Sequence, residues 1–121
     1  MKTYNDYEQL AVWQKAHDLV LRIYNYTNTF PKHEKLGLTG QIRRAAASIP
    51  TNIAEGTGTK TPMHFCKYLY DARASLMETR YLLRLSRDLG YINEQVYNEL
   101  VRGYNEVGKI LNGLINSLGT Q

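Results

Sequence analysis

Apolar residues recur three and four positions apart in four separate segments of this chain, and that spacing lines one face of an α-helix. The first segment runs Trp13, Ala16, Val20, Ile23, Thr27, Phe30, and the second Leu38, Ile42, Ala45, Ile49, Ile53. The third reads Phe65, Leu69, Ala72, Leu76, Thr79, Leu83. The fourth reads Tyr97, Leu100, Tyr104, Val107, Leu111, Leu114, Leu118 and is the cleanest heptad pattern in the chain. No segment alternates with period two, so no strand is expected. Local signals bound these periods. Phe30-Pro31 ends the first, because the residue before a proline is pushed out of helical geometry. Thr61 and Pro62 open the third as cap and first-turn residue, Gly90 stops it, and Asn93 caps the fourth.

Helices are therefore expected over residues 9–29, 35–57, 62–89 and 93–118. Loops of about three to six residues make successive helices antiparallel neighbours. The predicted fold class is all-α: an antiparallel up-down-up-down four-helix bundle, formed as a single domain over residues 1–121. Long helices in an extended or swapped oligomer are the competing architecture. A chain of 121 residues closes one core but not two. With 43% apolar residues, 21% charged residues and three prolines, its profile is globular. No apolar run approaches the roughly 20 residues of a membrane span, or even a signal-peptide core, so a cytoplasmic protein without a membrane partner is expected. Cys66 is the only cysteine, which leaves no intrachain disulfide or cysteine-based zinc site to build. His17, His33 and His64 lack metal-ligand spacing, and no cofactor is expected.

Charge supplies the strongest functional clue. At about 100° per residue, Arg73, Arg80, Arg84 and Arg87 of the third helix fall inside an arc of roughly 60°. Between Lys60 and Arg87 there are six basic and two acidic residues, as much net charge as the +4 of the whole chain. A basic stripe attracts polyanions by releasing their counterions, and arginine grips phosphates with two donors at once. Tyr70 and Tyr81 lie beside the stripe, where they suit stacking on unpaired bases. The alternative is a solvated or intersubunit ion-pairing face.

A second seam of the same helix runs Asp71, Ser75, Glu78, Leu82, Leu85, Leu89, and the second helix carries a polar ladder of Gln41, Arg44, Ser48, Asn52 and Glu55. Because a buried carboxylate is costly unless paired, Arg44 is expected to pair with Glu78, with Ser48 or Asn52 completing an inter-helix network that sets register. An acid/base site built on these carboxylates lacks a pocket, a histidine partner and a metal set. The remaining face, Arg43, Ala47, Pro50 and Ala54, suits close packing, and Pro50 predicts a kink. GTGTKT, Gly56 to Thr61, fails the phosphate-loop pattern, since no glycine precedes Lys60 and no strand comes before it. His64 and Cys66, two apart, point to different sides of a helix.

The residues now laid out carry a resemblance that spans nearly the whole chain. Leu10-Ala11-Val12-Trp13-Gln14-Lys15-Ala16, Phe30-Pro31-Lys32, Gly37-Leu38-Thr39 and Gln41-Ile42-Arg43-Arg44-Ala45 belong to it. So do Ser48-Ile49-Pro50, Asn52-Ile53-Ala54-Glu55-Gly56, Ser75-Leu76 with Glu78, and Gly108-Lys109-Ile110-Leu111-Asn112-Gly113-Leu114. The chain resembles the bacterial four-helix-bundle family encoded in intervening sequences of large-subunit ribosomal RNA genes. The resemblance implies a ring-like homopentamer. It also implies kinship with the accessory variability determinant of diversity-generating retroelements, a basic pentamer that binds nucleic acid and a reverse transcriptase. The family motif falls on Arg43, Arg44, Asn52, Glu55 and Glu78, and identifies no catalytic set. Where relatives often carry an arginine after the Ala-Glu-Gly run, this chain has Thr59 and Lys60.

The expected function is that of a non-enzymatic, oligomeric bundle binding RNA or DNA through Arg73, Arg80, Arg84, Arg87 and Lys60. A homo-oligomeric protein-interaction scaffold is the alternative.

Overall fold

The computed structural model describes residues 6–119. The ends of the expected domain, residues 1–5 and 120–121, lie outside them. Four helices form: α1 (Ala11–Thr27), α2 (Leu38–Thr57), α3 (Pro62–Asp88) and α4 (Glu94–Gly119). Short 3-10 turns at Tyr7–Gln9 and Lys32–Glu34 precede α1 and α2. The expected boundaries hold to within three residues, and the caps act as their chemistry requires. The Thr61 hydroxyl accepts from the backbone N–H of His64 at 3.2 Å, and the Asn93 side chain accepts from that of Val96 at 2.8 Å. Gly90, the one non-helical stop with φ +80°, reverses the chain between α3 and α4. Pro50 is accommodated within the continuous span of α2.

Each helix packs on its sequence neighbours, and α1 closes the ring against α4. Cross-helix pairs run in opposite directions along each seam: Lys15 meets Glu106 while Arg22 meets Glu99, and Cys66 meets Ile115 while Arg87 meets Glu94. That reversal makes α1/α4 and α3/α4 antiparallel.

The apolar seams read from the sequence become one core. Ile42, Ile49 and Ile53 of α2 meet Leu69 and Leu83 of α3 and Leu100 and Leu111 of α4 in it, none more than 1% exposed. Each such side chain contributes about 1.5–3 kcal/mol on burial. Two glycines set how closely the helices approach. A Cβ on Gly56 of α2 would lie 2.7 Å from the Phe65 ring of α3, and one on Gly103 of α4 would lie 2.8 Å from Leu19 of α1.

Candidate nucleic-acid interface

The α3 arginines line the flank of that helix next to α4, and the structure divides them by partner. Arg87 is spent inside the molecule: it meets Asp88 at 3.1 Å and Glu94 at 3.4 Å, and lies over the Tyr97 ring at 4.4 Å. Its hydrogen bond holds the Asp88 carboxyl below the usual range. Arg84 shares Asp88 one turn on, at 3.3 Å. Both partners of that pair are more than half exposed, so solvent screens the bridge and it is weak.

Arg73 and Arg80 keep their charge unneutralised. Arg73 donates to the neutral side chain of Asn112 at 2.9 Å and lies 4.8 Å over the Tyr70 ring, which fixes its direction without a counter-charge. Arg80 is half-buried and, among the described residues, has neither an ion pair nor a hydrogen-bond partner. Lys60 is exposed in the turn ahead of α3. Tyr70 and Tyr81 are 48% and 62% exposed, and Met63 and Met77 are exposed with them. At about 100° per residue these four sit 40–80° around the helix from Arg73. The outer face of α3 therefore presents cations edged by aromatic and thioether surface.

The polar ladder is shorter than expected. Ser48 and Ser75 share a hydrogen bond of 2.8 Å across α2 and α3, and Asn52 donates to the Ser48 hydroxyl at 3.1 Å and to its carbonyl at 2.9 Å. Arg44, Glu55 and Glu78 stay outside this network. All three are exposed, and Arg44 forms no pair with Glu78. The reason is geometric. Where two helices approach closely enough for small hydroxyls to touch, longer charged side chains at the seam's margin turn to water and avoid the desolvation cost of pairing.

A family model described as 23S rRNA-intervening sequence protein matches residues 8–113. The chain belongs to that family. Its bundle is similar to the crystal structure of a protein of unknown function from the S23 ribosomal protein family of Bacteroides thetaiotaomicron. The two are 27% identical, with a TM-score of 0.80 over 87% of this chain and 98% of the other. No curated protein matches the chain significantly. Of the α2 motif residues, Asn52 joins the α2/α3 network, Arg43 bonds to the end of α1, and Arg44 and Glu55 face solvent. The family assignment leaves the role of the α3 face open.

Most of the partners that divide the arginines were not legible beforehand. Asp88 sits one turn from Arg84 and was detectable by its spacing. Glu94, Tyr97 and Asn112 belong to α4 and meet α3 only once the chain has reversed at Gly90.

Proposed function

We propose that the protein is a non-enzymatic, oligomeric helical bundle that binds RNA or DNA through the outer face of α3, with little base specificity. The observation that carries this reading is the interleaving on one face of Arg73, Arg80 and Arg84 with the exposed rings of Tyr70 and Tyr81. Guanidinium groups hold phosphates, and a ring stacked on an unpaired base contributes about 1–3 kcal/mol whatever the base. A homo-oligomer, a pentamer by resemblance, repeats the face and multiplies weak contacts by avidity. Lys60 extends the basic surface toward the α2–α3 turn. A cytoplasmic location and a reverse transcriptase as protein partner, the latter from kinship with the accessory variability determinant, belong to the same proposal.

The exposed Met63 and Met77 favour a second reading, in which this face is a subunit contact and the protein a homo-oligomeric scaffold with no nucleic-acid role. One experiment separates the two: binding of nonspecific RNA and DNA at low and physiological salt, with light scattering, on the natural chain and an Arg80→Glu/Arg84→Glu variant. Binding should weaken steeply with salt and vanish in the variant while the particle mass stays the same. A variant that loses mass instead supports the scaffold.

A further inference from the structure

Arg44, which forms no pair with Glu78, borders the space between α1 and α2. A groove of about 530 Å³ runs there between α1 and α2, lined by Tyr24, Gly40, Arg43, Arg44, Ala47, Ser48 and Thr51. Two guanidinium groups reach it, and no carboxylate lines it. The α1/α4 groove is different, since Lys15, Arg22 and Arg102 are balanced there by Asp18, Glu99 and Glu106.

Arg43 is held in place entirely by neutral groups. Its Nε donates to the Thr27 hydroxyl at 2.9 Å, and its Nη2 donates to the Tyr24 carbonyl at 3.4 Å and the Asn28 side-chain oxygen at 3.3 Å. The guanidinium carbon lies 4.6 Å over the Tyr24 ring. Three of the five N–H groups of an arginine are thereby used, and both on Nη1 remain. The result is a half-buried cation whose direction is set and whose charge is not cancelled.

Arg44 differs from Arg43 in its surroundings. It is exposed and, among the described residues, has no ion-pair or hydrogen-bond partner. Thr51 gives its proton to the Ala47 carbonyl, and the Ser48 hydroxyl shares a hydrogen bond with Ser75 and accepts one from Asn52. Recognition falls on the two arginines and on the phenol of Tyr24, which is 44% exposed.

We propose that the α1/α2 groove is a phosphate-binding site, with Arg43 Nη1 as its fixed donor and Arg44 closing over the oxyanion. With Nε and Nη2 engaged, Arg43 offers an oxyanion its Nη1 alone, and a charge-assisted hydrogen bond from that atom is stronger than a contact to a neutral acceptor; the exposed guanidinium of Arg44 supplies the further donors. The phosphate comes either from a nucleotide monoester or from the diester backbone of a strand. This site is separate from the α3 face and stands whether or not that face binds nucleic acid.

The test titrates the full chain with AMP and with a short oligouridylate bearing 5′- and 3′-hydroxyl ends, following the Arg43 Nε–H resonance and the heat of binding. Saturable binding that shifts this resonance is expected from at least one probe. A response to AMP alone identifies a monoester, and a response to the oligonucleotide identifies a backbone diester. Arg44→Glu, at an exposed position that leaves the fold intact, should weaken that binding about tenfold or more. Arg43→Lys, which keeps the charge and removes the Nη1 donor with the contacts that aim it, should weaken it similarly. Arg80→Glu/Arg84→Glu should leave AMP binding unchanged. If neither probe moves the Arg43 resonance, or if folded Arg44→Glu and Arg43→Lys variants bind as the natural chain does, the site is overturned.

Discussion

Glu34 accepts two hydrogen bonds at once, from the backbone N–H of Leu38 at 3.1 Å and from the phenol of Tyr91 at 2.9 Å. The first satisfies one of the orphan donors in the opening turn of α2 and places a negative charge at the helix N-terminus. The second ties the α1–α2 connection to the turn between α3 and α4. Both bonds, the backbone one foremost, hold the Glu34 carboxyl below the usual glutamate range. A lowered folded pKa means that this contribution is present above the ordinary glutamate value and is lost as pH falls through the lowered one. Glu34→Gln should therefore melt earlier than the natural chain at neutral pH and lose less of its remaining stability between about pH 5 and about pH 3. Melting midpoints across that range check it, and parallel curves contradict it. The caps at Thr61 and Asn93 were legible because each bonds three residues ahead. Glu34 was missed because half of its work is done by a residue 57 positions away.

The helices show the same division at the next scale. Both Gly56 and Gly113 occupy helical positions, where glycine costs about 1 kcal/mol relative to alanine. Sequence alone cannot rank them, but their surroundings do. A methyl on Gly56 meets the Phe65 ring at 2.7 Å and Tyr68 Cβ at 3.1 Å, whereas one on Gly113 has nothing within 4 Å. In chemical denaturation, Gly56→Ala should destabilise by about 1–3 kcal/mol through forced separation of α2 and α3. Gly113→Ala should stabilise by about 0.5–1 kcal/mol. Shifts of the same sign for both would contradict this account. Glu78→Gln belongs beside them. Its carboxylate is exposed and, among the described residues, unpaired, so the substitution should leave stability within about 0.5 kcal/mol, where the expected pair with Arg44 implied a clear loss. Periodicity placed Glu78 on the flank facing α2. It could not tell a side chain buried in that seam from one standing at its rim.

At the scale of the whole molecule, the charge of +4 bears on binding only through the cations left unneutralised or held in a weak, exposed pair. If Arg73, Arg80 and Arg84 are the contacts, the logarithm of affinity for a single strand should fall against the logarithm of salt with a slope of about −2 per bundle. The slope steepens when several subunits hold one strand, so the salt titration proposed above also counts engaged copies. By itself the sequence determined that there are four helices, where they begin and end, and which face of each enters the core. Those properties rest on interactions within about four residues and on a repeat that any helix imposes. Only the tertiary structure decided which arginines are available. Arg87 was neutralised by Glu94 across the α3–α4 turn, Arg73 and Arg43 were fixed by neutral partners on neighbouring helices, and Arg44 and Arg80 were left without any among the described residues. The physical reason is that a charge is cancelled by what lies within a few ångströms of it, and that distance is set by the packing of helices rather than by position along the chain.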